Sequence, residues 1–140
     1  IIINFFYLYK NNFILLIIRK MNETSIDNLE NQLSHCTITQ INKLEDIKLP
    51  ENKFLVISKS NCVFCEKACY LLNMKGISYE YINVDNLLIT QKAKNQFLEY
   101  MCELISYEYD KLPMIFYNKQ FIGGYNNLEE YFKTKNNLFV

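Results

Sequence analysis

The feature that most constrains the fold is a pair of cysteines placed between an apolar run and a helical pattern. Residues 54–57 are apolar, as in a buried strand, and the segment that follows them is Lys59-Ser60-Asn61-Cys62-Val63-Phe64-Cys65 after a single serine. Beyond the cysteines, Ala68, Leu71 and Leu72 recur at the spacing of one helix face. The sequence therefore predicts a strand, a short loop and a helix whose first turn carries both cysteines.

Such a helix start favours the ionised form of a cysteine. The first N–H groups of a helix lack intrahelical partners and carry partial positive charge. This environment lowers a cysteine pKa from about 8.5 to roughly 3.5–7.5, so the thiolate forms near neutral pH. Lys59, three residues before Cys62, adds a cation to the same corner. We interpret Cys62 as the nucleophile and Cys65 as the resolving thiol of a redox pair.

Three other interpretations compete with the redox pair. Half of a zinc site needs a second Cys/His pair; Cys69 extends the cluster, but the single histidine, His35, lies far away in sequence. A structural disulfide is typical of oxidising compartments, which nothing in the sequence indicates. Two inert buried thiols fit poorly at a helix start. The strand–turn–helix context favours redox chemistry without a metal.

Charge and cysteine count narrow the function classes further. The 140 residues include 15 basic and 15 acidic side chains with no basic block, so no nucleic-acid partner is expected. Five cysteines cannot all pair within one molecule, which favours a reducing, cytoplasmic setting. We expect a monomer that does not associate with membranes.

The first 20 residues contain apolar blocks that Asn4, Lys10, Asn11 and Asn12 interrupt. A transmembrane helix needs about 20 consecutive apolar residues, and the uninterrupted runs are shorter. We expect translation to start at Met21 and residues 1–20 to be non-native, with a membrane anchor as the alternative.

Residues 21–51 are predicted to form a helical N-terminal extension. Their apolar residues follow an approximate helical stripe, which indicates one or two amphipathic helices. The stripe consists of Ile26, Leu29, Leu33, Ile41, Leu44 and Ile47. His35 and Cys36 are then ordinary helix residues.

Residues 52–140 are predicted to form an α/β domain, a small mixed four-stranded sheet flanked by helices. Strands are predicted at 53–58, 79–84, 114–117 and 120–122, and helices at 63–75 and 88–106. Gly76 is expected to end the first helix, and Cys102 to pack in the core. Asn127 is expected to cap a last helix, with Glu130 completing a capping-box-like pair.

Three motifs in this order resemble the glutaredoxin family of the thioredoxin superfamily. They are the C-x-x-C at the helix start, Leu112-Pro113 before a hairpin, and Gly123-Gly124 after it. The resemblance covers roughly residues 52–135 and implies a thioredoxin-like fold. It also implies a dithiol thiol–disulfide oxidoreductase that uses glutathione and reduces protein disulfides or glutathione mixed disulfides.

The resemblance implies roles for the residues at the helix start. Cys62 matches the family's attacking cysteine and Cys65 its second cysteine. Lys59 matches a basic residue that binds a carboxylate of glutathione. Phe64 and Tyr125 would flank the cleft as apolar contacts.

Further along the chain, Leu112-Pro113 matches a dipeptide in which the proline is cis and the preceding backbone pairs with the cysteine of glutathione. From the residues alone, a trans proline opening an edge strand is the default. Gly123-Gly124 matches a site where the ligand approaches bare backbone, whereas a plain hairpin exit is the simpler reading.

The chain departs from the family pattern at several positions. Val63 replaces the usual proline between the two cysteines. Tyr125-Asn126-Asn127 replaces an acidic pair that binds the glutamyl amino group, so Asn126 is expected to contact glutathione by hydrogen bonding alone. The segment between Cys65 and Pro113 is also several residues longer than usual.

Two alternatives to glutathione-dependent reduction stay open. One is a thioredoxin-like protein disulfide reductase served by a reductase protein. The other is a glutathione-ligated iron–sulfur cluster module, since family members without the proline between the cysteines can hold such a cluster.

Overall fold

The central strand of the sheet is the apolar run that precedes the cysteines. The computed structural model describes residues 36–137. In chain order, the elements are β1 Cys36–Gln40, a 3-10 turn Leu44–Asp46, β2 Phe54–Ser58, α1 Val63–Met74, β3 Tyr79–Asn83, a 3-10 turn Asp85–Leu87, α2 Gln91–Ile105, β4 Met114–Tyr117, β5 Gln120–Gly123 and α3 Tyr125–Asn137. The predicted α/β class is confirmed, and the described sheet has five strands rather than four.

The strand order is β1-β3-β2-β4-β5, with β2 parallel to β3 and antiparallel to β4. All five residues of β2 are buried, as expected for a strand covered on both faces. Because successive side chains point to opposite faces, Leu55 and Ile57 join the core under α2, while Phe54 and Val56 join the core under α1 and α3. The domain therefore has three layers, with the sheet in the middle.

Local capping interactions mark the ends of α1 and the start of α2. Cys62 caps α1, and Gly76 adopts a left-handed φ of 65° just beyond the helix end, as predicted. On α2, the Thr90 hydroxyl accepts a hydrogen bond from the Ala93 N–H at 3.0 Å. Met101 of α2 is fully buried against the sheet.

The prediction that residues 36–51 are helical is wrong. Cys36–Gln40 forms an edge strand parallel to β3, with Cys36 opposite Tyr79. Thr37, Ile38 and Thr39 are β-branched residues that suit a strand, and the free edge of β3 supplies backbone partners for them. Ile41 and Ile47 are buried, but they lie in the chain before and after the 3-10 turn rather than in a helix. The sheet therefore begins before the predicted boundary at residue 52.

The predicted cap of α3 is also wrong. The helix begins at Tyr125, so Asn127 lies inside its first turn. The Asn127 side chain reaches back and accepts a hydrogen bond from the Gly124 N–H at 3.1 Å. Asn127 thus has the role that Glu or Gln has at the third position of a capping box, and Gly124 is the residue being capped.

The predictions for residues 1–35, which include the stripe positions Ile26, Leu29 and Leu33 and the residue His35, lie outside the described residues. Within residues 36–137, none of the helices has both the length and the apolar character needed to span a membrane.

Leu72 tests the packing of α1 on the sheet. Its side chain is fully buried, whereas Met74, two residues later on the same helix, is 60% exposed. We expect Leu72→Ala to lower the free energy of unfolding by about 2–5 kcal/mol, because it leaves a cavity in the core. Met74→Ala should change it by less than about 0.5 kcal/mol. Urea denaturation measures both values, and equal losses would contradict the orientation of α1.

Candidate active site

The two cysteines of the C-x-x-C motif lie at the start of α1 and are joined by a disulfide. Cys62 is the N-cap residue, and its Sγ accepts a hydrogen bond from the Cys65 N–H at 3.3 Å. Because this amide is one of the unpartnered donors of the helix start, it stabilises a Cys62 thiolate once the disulfide is reduced. Cys62 is 9% exposed and Cys65 only 1%. Cys62 is therefore the sulfur that a substrate can reach.

The peptide bond between Leu112 and Pro113 is cis, as the resemblance implies. It lies directly before β4, which pairs with β2 so that Met114 is opposite Ile57. This pairing brings Leu112 to the edge of the sheet that holds the cysteines. The Leu112 carbonyl oxygen is 3.7 Å from Cys62 Sγ. The backbone before the proline therefore borders the reactive sulfur.

An aromatic pair forms one rim of the site. Phe64 of α1 is 52% exposed, and its ring centroid is 6.2 Å from that of Tyr125 at the start of α3. The Lys67 ammonium lies 5.2 Å from the Phe64 centroid and 5.8 Å from the Tyr125 centroid, within the range of cation–π attraction. Lys67 was not predicted as a site residue. Lys67 is three residues after Phe64, a spacing that places both side chains on one helix face. This spacing could have identified Lys67 as a site residue.

The glycine pair is enclosed by the chain itself. At Gly123, φ is 126°, and an added Cβ would clash with the Asn127 side chain. At Gly124, an added Cβ would lie 2.6 Å from the Tyr109 hydroxyl. Gly123 therefore requires glycine because of its φ and the Asn127 side chain, whereas a side chain at position 124 would have to displace the Tyr109 hydroxyl, whether or not a ligand approaches either position.

Tyr109 belongs to the long segment before Pro113 and was not predicted as a site residue. Its ring packs edge-on against Phe121 at 5.1 Å between centroids. The Cys102 thiol contacts the Tyr109 backbone, accepting from its N–H at 3.4 Å and donating to its carbonyl at 3.6 Å. Cys102 is half-buried and anchors this loop, rather than packing fully in the core as predicted. The extra length of the segment is the only sequence signal for Tyr109.

The remaining predicted residues are exposed. Lys59 lies in the loop after β2, where its charge helps to lower the pKa of Asp85 against the opposing effect of burial. Asn126 lies in the first turn of α3, next to Tyr125. The structure thus brings Cys62, Cys65 and Leu112-Pro113 into direct proximity, with Lys59 and Asn126 on neighbouring elements.

Two further thiols are poor nucleophiles because they are desolvated. Burial raises the pKa of Cys36 to about 11, outweighing the nearby Tyr79 hydroxyl and the charge of Lys53. Burial likewise raises the pKa of Cys69 well above its ordinary value. Since the thiolate is the reactive species, both side chains are protonated and inert near neutral pH.

Gly124 and Tyr109 provide a test of the packing around the glycine pair. We expect Gly124→Ala to destabilise the protein by about 1–3 kcal/mol, because the new methyl group meets the Tyr109 hydroxyl. Removing that hydroxyl with Tyr109→Phe should restore part of the loss in the double variant. A double-mutant cycle on thermal unfolding measures the coupling. Additive effects of the two changes would contradict the contact.

Comparison with known proteins identifies the family. A glutaredoxin family profile, described as "Glutaredoxin", matches residues 54–122, from β2 to the hairpin. The curated protein Glutaredoxin-1 of ectromelia virus (strain Moscow) is 30% identical over 86 residues, which are 59% of this chain and 74% of the viral protein. Glutaredoxin-1 of vaccinia virus (strain Copenhagen) shows the same identity and coverage.

Among solved structures, glutaredoxin 1 from Francisella tularensis, crystallised with cacodylate, has a TM-score of 0.52 at 18% identity. The match covers 61% of this chain and 96% of the bacterial protein, and at this identity it shows the fold alone. The fold, the cysteine pair at the helix start and the viral relatives lead to one conclusion. This chain belongs to the glutaredoxin family and is a thiol–disulfide oxidoreductase with a thioredoxin-like fold.

Proposed function

We propose that this oxidoreductase uses glutathione as its reductant, with Cys62 as the nucleophile and Cys65 as the resolving thiol. The observation that carries the proposal is the position of Cys62 Sγ. It lies at the N-terminus of α1 and 3.7 Å from the Leu112 carbonyl, beside the backbone that precedes Pro113. A cysteine of an extended peptide can pair with that backbone while its sulfur meets Cys62. The substrates we propose are glutathionylated proteins and protein disulfides.

The proposed reaction proceeds by two exchanges. The Cys62 thiolate attacks the glutathione sulfur of a mixed disulfide, forms a Cys62–glutathione disulfide and releases the substrate thiolate, which takes up a proton. A second glutathione thiolate then attacks the glutathione sulfur of that intermediate. It leaves as glutathione disulfide and regenerates the Cys62 thiolate. Each cycle therefore consumes one free glutathione, which leaves joined to the glutathione that the substrate carried.

Cys65 offers a second route, which applies to protein disulfides. After Cys62 has formed a mixed disulfide with the substrate, the Cys65 thiol loses its proton and attacks Cys62 Sγ. The substrate leaves as a thiol, and the Cys62–Cys65 disulfide forms. The Cα atoms of the pair are 5.2 Å apart, within the range of ordinary disulfides. Two glutathione molecules then return the pair to the dithiol state.

The charges around the site support glutathione, which carries two carboxylates and one ammonium group. Lys59 and Lys67 are exposed cations on the loop and the helix that flank Cys62, and each can pair with one carboxylate. The Asn127 side chain is occupied by the Gly124 N–H. This leaves Asn126, which is exposed, as the amide available to the ligand.

A second candidate is a thioredoxin-like protein disulfide reductase that does not use glutathione. The contact between the Tyr109 hydroxyl and Gly124 favours it, because this side chain lies where the family resemblance implies ligand contact. For either candidate, we propose a monomer in the cytoplasm, which rests on the odd number of cysteines and the balanced charge.

Replacing each cysteine separately tests the proposed chemistry. We expect Cys62→Ser to abolish reduction of a glutathionylated peptide, because Cys65, the other thiol at this helix start, is only 1% exposed. Cys65→Ser should keep most of this activity, because glutathione can resolve the intermediate directly. A coupled assay with glutathione reductase measures both rates, with Cys102→Ser as the control. Wild type that turns over with dithiothreitol but not with glutathione would favour the thioredoxin-like candidate.

Lys59 tests the recognition of glutathione. We expect Lys59→Ala to raise the KM for the glutathionylated peptide by about 1.5-fold to fivefold with little change in kcat, as expected for loss of one exposed charge pair. Lys59→Arg should keep the wild-type KM, and Lys48→Ala, at an exposed lysine in the segment before β2, serves as the control. A KM unchanged in Lys59→Ala would contradict this role.

A further inference from the structure

The loop that leads to Cys62 is held by a carboxylate from another part of the chain. Because β2 and β3 are parallel, with Ser58 opposite Asn83, the loops that leave the two strands lie side by side at one edge of the sheet. Neighbouring strands are about 4.8 Å apart, so short side chains can join the two loops. Val84 N–H already donates to the Ser58 carbonyl at 2.9 Å. Asp85 is the next residue along the second loop.

The Asp85 carboxylate binds both polar donors of Ser60. Its Oδ1 accepts from the Ser60 N–H at 2.9 Å, and its Oδ2 accepts from the Ser60 hydroxyl. Ser60 is two residues before Cys62, and the residue between them, Asn61, has a left-handed φ of 56°. The carboxylate therefore fixes the loop at the point where the chain turns into α1.

Asn83 holds the carboxylate in place. Its side-chain amide donates to Asp85 Oδ2 at 3.2 Å, and its Oδ1 accepts from the Asp85 N–H at 2.9 Å. Asn83 is only 5% exposed, so its own position is set by the core. Burial opposes ionisation of Asp85, but the hydrogen bonds from Ser60 and Asn83 and the charge of Lys59 lower its pKa overall. The carboxylate is thus ionised at neutral pH, where its hydrogen bonds are strongest.

We propose that Asp85 is a positioning residue for the nucleophile, holding the loop from Lys59 to Asn61 so that Cys62 stays at the N-terminus of α1. Asp85 does not contact the reacting sulfur, and it acts through Ser60. Without this anchor, the loop moves and Cys62 Sγ loses its alignment with the Cys65 N–H. A smaller fraction of Cys62 is then ionised, and its reactivity near neutral pH falls. The inference rests on the proposed role of Cys62 as the nucleophile.

Alkylation of Cys62 by iodoacetamide as a function of pH tests the proposal without glutathione or a protein substrate. All variants are made in the full chain carrying Cys65→Ser, and mass spectrometry reads the modification of Cys62. We expect Asp85→Ala to shift the midpoint of the pH profile upward by about one unit, which slows alkylation at low pH about tenfold. Asp46→Ala, an exposed aspartate in the 3-10 turn before β2, is the matched control and should leave the profile unchanged.

Two further variants separate positioning from charge. Asp85→Asn keeps an acceptor for the Ser60 N–H, and the Ser60 hydroxyl can turn to accept from the new amide. Because that amide also faces the Asn83 amide that donated to Asp85 Oδ2, the variant should restore part of the wild-type profile. Ser60→Ala keeps the charge but removes one donor, and it should slow alkylation by roughly threefold. If Asp85→Ala and Asp85→Asn both accelerate alkylation, Asp85 acts only as a negative charge that disfavours the thiolate, and the proposal is overturned.

Cys69 reports in the same experiment whether each variant is folded. It is fully buried, so it is alkylated only when the core opens. If Cys69 is alkylated in Asp85→Ala, that variant has lost its packed core, and Ser60→Ala provides the test instead. An unchanged Cys62 profile in Ser60→Ala overturns the proposal. If the Cys65→Ser chain, with Asp85 and Ser60 intact, has the expected alkylation profile but no glutathione-dependent turnover, the proposed function fails and the role of Asp85 does not.

Discussion

The parallel pairing of β2 with β3 is the constraint on which the active site depends. It brings the carboxyl ends of the two strands to the same edge of the sheet, while the helices bury β2 on both faces. The chain leaving β2 enters α1 at Cys62, and the chain leaving β3 supplies the Asp85 carboxylate beside it. On the other side of β2, the antiparallel β4 begins at this edge, which places Pro113 there. One strand therefore organises three converging segments.

The position of a cysteine in this fold determines whether its thiol is reactive. Cys62 and Cys69 belong to the same helix region, but Cys62 caps α1 and Cys69 lies in its buried face. At the cap, an N–H group supports a negative charge on sulfur, whereas in the core desolvation raises the pKa and keeps the thiol protonated. The same residue type is thus a candidate nucleophile at one end of a helix and inert packing two turns later.

Much of the central domain could be predicted from local sequence. The apolar run of β2, the glycine after α1 and the hairpin between β4 and β5 each have short-range signals, and the structure contains all three. The N-terminal strand could not be predicted in this way. Ile41, Leu44 and Ile47 have helical spacing, but the free edge of β3 offered backbone hydrogen bonds that periodicity does not reveal. The cap of α3 could not be predicted from local sequence either, because it depends on where the β4–β5 hairpin ends and the helix begins.

The sequence by itself determined the chemistry of the site, because a strand, a short loop and a helix start with two cysteines are encoded within about a dozen neighbouring residues. It also carried the order of motifs that resembles the glutaredoxin family. Only the tertiary structure decided which distant residues meet this segment. Asp85 and Tyr109 are 25 and 15 positions from the Ser60 and Gly124 that they contact, and strand pairing and helix packing bring them there. Local patterns specify elements, whereas contacts between elements arise only when the whole core is packed.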